Sequence, residues 1–100
     1  MERYAHITEM ENIMVQQNGK LKEMNQLLDA LDAQREAYRK LMAYYYSEQR
    51  TQDIQDDENH LIPESLHRGV LTEDEIYDLI GDYHDTAIRM METALQMMKE

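Results

Sequence analysis

Asp53, Asp56, Asp57, Glu58, Asn59 and His60 form a run of oxygen-bearing side chains of the kind that calcium or magnesium requires in number. The alternating ligands and central Gly of an EF-hand loop are missing, so a solvated acidic loop accounts for the same residues. His84 beside Asp85, with His60 or His67, is the other conceivable ligand set, but the two Glu-x-x-His pairs of a di-iron bundle are absent. Nucleophilic catalysis is no better served. The chain has no Cys, Ser47 and Ser65 lie in polar linker sequence without a Gly-x-Ser-x-Gly elbow, and no Gly-rich loop could cradle a phosphate. Tyr44, Tyr45 and Tyr46 could stack on bases, but consecutive helical residues diverge by about 100° and single-strand binding needs cationic surroundings. The expectation is a non-enzyme with no cofactor and no metal site, whose tyrosines close the end of a core and reach polar loop groups with their hydroxyls.

What remains is charge. Lys and Arg number 10 against 21 Asp and Glu, a net of -11, which argues against partnership with nucleic acid or an anionic membrane. The excess is local. Between residues 53 and 85 stand eleven acids and one base, Arg68, while the rest of the chain is nearly neutral. Asp56, Asp57, Glu58, Arg68, Asp78 and Asp82 are therefore the candidate interaction residues, suited to a basic protein partner. Arg68 has a second expectation attached: as the lone base it should fork onto Asp57, Asp74 or Asp78 and pin the connector. Two alternatives share the same acids. One is an inhibitor that mimics nucleic-acid charge at a DNA-binding site, which needs these carboxylates on one continuous face; the other is divalent metal binding through the acidic connector.

The elements that carry these groups are helical. Three Gly, one Pro, nine Met and neither Phe nor Trp in 100 residues exclude an all-β fold. From Ile7 to Tyr45 a seven-residue repeat runs through Ile7, Met14, Leu21, Leu28, Arg35 and Met42, interleaved with Met10, Gln17, Met24, Leu31, Tyr38 and Tyr45. It is apolar except at Gln17 and Arg35, and predicts one long helix over about 3–46, kept in phase across Asn18-Gly19. A break at Gly19 that folds residues 2–17 back as a third helix is the competing arrangement. The connector, 47–71, should hold a short helix capped by Ser47 and ending near Asp57, with Ile54 inward. Pro63 should open a single turn, with Gly69 closing it in a left-handed conformation. Thr72 predicts the start of a last helix to about residue 98. Glu75 would complete a capping box and Leu71 would staple onto Ile76.

The expected fold is thus an all-α, coiled-coil-like antiparallel hairpin of two long helices with a folded acidic connector, forming a single domain over 1–100. A last helix of about 27 residues would cover the first only back to residue 18 or 20. Met10, Ile13 and Met14 at one place, and Met91, Leu95 and Met98 on the second apolar face of the last helix, would stay bare. Patches of that size favour self-association, so these six are the candidate contacts of a homodimer. No apolar run approaches the roughly 18 residues of a membrane span, and the charged start at Glu2 and Arg3 suits a cytoplasmic protein.

Several runs resemble a known family. Tyr44-Tyr45-Tyr46-Ser47-Glu48, Asp56-Asp57-Glu58, Leu61-Ile62-Pro63, Leu66-His67-Arg68-Gly69-Val70-Leu71-Thr72-Glu73-Asp74 and Ile76-Tyr77-Asp78-Leu79-Ile80 are similar to short bacterial proteins grouped as domain of unknown function 4298. Members often have an aromatic residue, usually Trp, shortly after the Tyr-Tyr-x-Ser run, where this chain has Gln49-Arg50-Thr51. The resemblance implies a helical cytoplasmic protein and no catalytic activity. The function expected from all of this is a non-catalytic protein-interaction or scaffold module.

Overall fold

The computed structural model describes residues 3–100, which are all-α; Glu2, part of the charged start noted above, lies outside the described residues. Three α-helices and one 3-10 turn follow in order: α1 (Ala5–Tyr45), α2 (Glu48–Glu58), the turn Gly69–Leu71, and α3 (Glu73–Met98). By internal contact the chain forms two units, Met1–Met42 and Ala43–Glu100.

The first unit is helix. α1 runs 41 residues without a break, about 60 Å at about 1.5 Å per residue. Beyond Val15 it contains no β-branched residue, and Leu, Met, Ala, Gln, Lys and Arg lose little freedom in a helix. That surplus offsets the cost of about 1 kcal/mol for Gly19 in the interior. Asn18-Gly19 therefore passes through as helix, and the three-helix alternative with a break there does not form. None of the residues of α1 is buried.

The second unit takes in the last residues of α1 and everything after it. The Ser47 hydroxyl donates to the carbonyl of Tyr44 at 2.6 Å and accepts from the backbone N–H of Arg50 at 3.2 Å. One short side chain thus ends one helix and caps the next, with Ser47 in the extended conformation an N-cap needs.

α2 ends in a Schellman arrangement. The His60 N–H bonds the carbonyl of Asp57 at 3.1 Å, and the Leu61 N–H bonds that of Asp56 at 2.9 Å. His60 takes the left-handed position at φ 57, where Gly is usual. Pro63 then opens a turn closed by the Leu66 N–H on its carbonyl at 3.0 Å.

Two expectations about this stretch are corrected. No glycine has a positive φ, so Gly69 does not close the connector by left-handed geometry. Its lack of a side chain serves another purpose: a Cβ there would overlap the carboxylate of Glu75, which folds back over it. That same fold-back changes the cap of α3. Thr72 is the N-cap residue, but its hydroxyl donates to the carbonyl of Gly69 at 2.7 Å and approaches Glu75 Oε2 at 3.4 Å, so the capping box is not made. The 3-10 turn offers a carbonyl closer than the helix offers an N–H. The acids of the first turn, Glu73, Asp74 and Glu75, still favour the positive end of the helix.

A left-handed conformation costs a non-glycine residue about 1–2 kcal/mol. His60→Gly should raise stability by about 1 kcal/mol in chemical denaturation, with the helix content of α2 kept. A variant less stable than the parent would contradict the strain assigned to His60.

Candidate functional site

Ile76 and Arg50 are the two buried side chains among the described residues, 3% and 7% exposed. A burial site shared by an isoleucine and a guanidinium has to satisfy the charge. Arg50 Nε donates to the carbonyl of Val70 at 3.1 Å and Nη2 to that of Thr72 at 3.5 Å. These carbonyls lie within the 3-10 turn and just after it, so α2 reaches across and holds the segment that starts α3. The guanidinium also stacks on the Tyr45 ring, 4.8 Å from its centroid, and lies 3.8 Å from a carboxylate oxygen of Glu73. Glu73 in turn accepts the Tyr45 hydroxyl at 2.6 Å. Tyr45, Arg50 and Glu73 make a triangle whose corners come from the end of α1 and the starts of α2 and α3.

A second bond clamps the same corner. The Tyr44 hydroxyl donates to Asp53 at 2.5 Å, and Gln49 donates to the other oxygen of that carboxylate at 2.8 Å. Burial and then the bonded Asp53 carboxylate push the Tyr44 phenol up to about 12. The Tyr44 and Gln49 donors hold Asp53 below the usual carboxylate range. The hydroxyl of Tyr45, bonded to Glu73, is raised above an ordinary phenol for the same kind of reason. Both tyrosines thus reach polar groups at the end of a small core, whereas Tyr46 is 78% exposed.

The candidate interaction residues separate into two sets. Arg68 Nη1 donates to Asp57 at 2.8 Å with both side chains about one-third exposed, so of the three acids proposed for it Asp57 is the one engaged. Asp56 accepts from Gln52 at 2.9 Å, one turn earlier on α2. Glu58 is exposed at the end of α2. Asp78 and Asp82 belong to an exposed stripe with Asp74 and Asp85. At about 100° per residue these four fall within about 80° of arc on α3, opposite Ile76 and Ile80. Asp53, Asp56 and Asp57 of α2 are thus engaged by partners within the unit, and the Asp74, Asp78, Asp82 and Asp85 stripe of α3 faces water.

Beside the Asp57–Arg68 pair an open depression of about 940 Å3 is lined in part by His60, His67, Gly69 and Glu75. Among the described residues no group of three or more His, Asp or Glu is placed to hold a metal ion. Ser47, one of the two hydroxyls considered as a nucleophile, is spent as a helix cap.

Sequence reasoning missed Arg50. It sits just outside the acidic segment, and the carbonyls and carboxylate it engages lie about twenty positions away, so nothing in its neighbourhood singled it out. The signal that could have found it was the absence of an aromatic residue after the tyrosines: the interior position of that short helix is filled by Arg50.

The fold and site define an all-α protein with a small polar-centred junction. The chain belongs to the family described as domain of unknown function (DUF4298), whose model matches residues 7–93. Neither the curated proteins nor the solved structures provide a match. No helix among the described residues is long and apolar enough to cross a membrane.

The two arginines should differ in weight. Arg50→Ala removes buried charge-assisted bonds to two carbonyls and should cost about 2–3 kcal/mol, with Arg50→Lys a poor rescue because it lacks the fork. Arg68→Ala breaks a partly exposed pair and should cost about 1 kcal/mol or less. Equal losses in thermal denaturation would contradict this ranking.

A pH effect follows from Tyr44. Between 10.0 and about 12 the folded chain keeps a proton that the unfolded chain gives up, so stability should fall as pH rises through that window. In an ultraviolet titration of the phenols, Tyr44→Phe should remove one late-ionising group; a titration with the late class undiminished would contradict the Tyr44–Asp53 bond.

Proposed function

We propose that the chain is a non-catalytic protein-interaction module that works as a homodimer and offers an acidic surface to a basic partner. The observation that carries the reading is the uncovered seam of α1. Ile7, Met10, Met14, Leu21 and Met24 are 56%, 54%, 51%, 47% and 48% exposed. An isolated helix derives little stability from propensity alone, and most helical stability comes from packing an apolar face. A stripe of this length left in water is a liability that a second copy relieves. Ile13 at 43%, and Met91, Leu95 and Met98 at 65%, 56% and 85%, are bare in the same way and supply further contact. Flexible thioethers suit such surfaces.

The acidic surface in this reading is the α3 stripe through Asp78 and Asp82. The nucleic-acid-mimicking alternative asks for the carboxylates of residues 53 to 85 on one face. Asp53 and Asp57 are occupied by Tyr44 and Arg68, which favours a basic protein over that alternative. The metal alternative gains no support from the placement of the acids.

Sedimentation at micromolar concentration should give the mass of two chains, dissociating on dilution. A single-chain mass at every concentration up to about 100 µM, where interfaces with dissociation constants in the micromolar range are populated, would contradict the proposal.

A further inference from the structure

We infer that two copies pair through α1 in antiparallel orientation, with the two-fold axis beside Gln26. This rests on the homodimer reading and adds orientation and register to it. The basis is an unbroken helix whose seam is exposed from Ile7 to Leu31 and half-buried at Tyr38, Met42 and Tyr45, and whose polar exceptions fall symmetrically about its middle.

The seam has two polar members, Gln17 and Arg35. In antiparallel packing the two seam rows of one helix face each other's counterparts, so a register can be chosen that sets Arg35 opposite the partner's Gln17. That choice determines every other layer. Leu28 meets the partner's Met24, and Leu21 meets the partner's Leu31. Apolar residues face apolar residues and the polar pair shares one layer on each side of the axis. A slip of one heptad sets Arg35 on the partner's Met10 or Met24 instead, burying a charge against a thioether. Parallel in-register pairing sets Arg35 on the partner's Arg35, like charge on like charge.

The flanking rows agree with the same register, although they played no part in choosing it. On one flank Glu11 comes beside the partner's Arg39, opposite charges at positions that commonly set the orientation of paired helices. On the other flank Leu27 meets the partner's Leu27 across the axis, and Ile13 meets the partner's Leu41. Parallel pairing would instead leave Leu27 beside the partner's Asp32. The overlap is also close to the largest available, since Gln26 lies next to the middle of Ala5–Tyr45.

Electron spin distance measurement on the full chain tests this. The protein has no Cys, so Asn12→Cys and Gln26→Cys each give a single label, at outward positions of the repeat. In the inferred register the two Asn12 sites stand about 42 Å apart along the axis, at about 1.5 Å per residue, and the two Gln26 sites lie on opposite outer faces with no axial offset, separated only by the width of the pair. A long Asn12 distance with a short Gln26 distance supports the inference. An Asn12 separation of about 32 or 53 Å indicates a heptad slip, and equally short distances at both sites indicate parallel chains. Either result overturns the register while leaving the dimer standing. No dipolar coupling at either site, with a single-chain mass in sedimentation, overturns the dimer reading itself. A charge exchange gives an independent check: Arg39→Glu should weaken association several-fold, and the double change with Glu11→Arg should restore it. Absence of rescue in a dimeric double variant would also overturn the register.

Discussion

A guanidinium in an apolar interior must have its charge and its buried donors compensated or it destabilises the site it occupies. Arg50 meets that condition with two backbone carbonyls, an aromatic face and a nearby carboxylate. The arrangement of residues 43–100 depends on it. The carbonyls belong to Val70 and Thr72, which fixes the 3-10 turn against α2. The ring belongs to Tyr45, which fixes the end of α1 against both. Ile76, on the first turns of α3, is the one buried apolar side chain in this unit among the described residues. So small an apolar interior leaves orientation to directional bonds: Ser47 at one corner, Tyr44 with Asp53 at another, Arg68 with Asp57 at a third.

The acidity of the chain takes on a different meaning in this setting. Eleven acids over 53–85 look like one charged surface when counted along the sequence. Several of them are structural. Asp53 and Asp57 are hydrogen-bond acceptors inside the unit, and Glu73 joins Tyr45 to Arg50. What is left to face a partner is chiefly the outer stripe of α3, half a helix in length, with Glu58 and Glu64 exposed in the connector. Charge that holds the connector together and charge that remains available are thus separate sets of residues.

Periodicity made the helices legible. The seven-residue seam persists across Gly19 because nothing in the flanking residues competes with helix, and Ser47 and Thr72 are good cap residues by type. The interior of the junction was not legible for an equally physical reason. Arg50 is buried by residues about twenty positions away in the chain, and no local pattern records such a contact. The details of the turns escaped because residue type misleads there: His60, not a glycine, takes the left-handed position that ends α2, and Glu75 bends back over Gly69. Arg68 was readable because a lone base among acids has few choices, and the partner it takes, Asp57, was among those three.

The chain therefore has an interior built on bonds in one unit and an apolar seam without an interior in the other. Amide hydrogen exchange of the full chain as a function of concentration tests that division most directly. The account predicts amides near Arg50, from the 3-10 turn into the first turns of α3, that stay protected at every concentration. It predicts amides of α1 between Met10 and Tyr38 that gain protection as concentration rises, with the same midpoint as the change in mass. Protection in α1 that does not vary with concentration, or loss of protection around Arg50 on dilution, would contradict it.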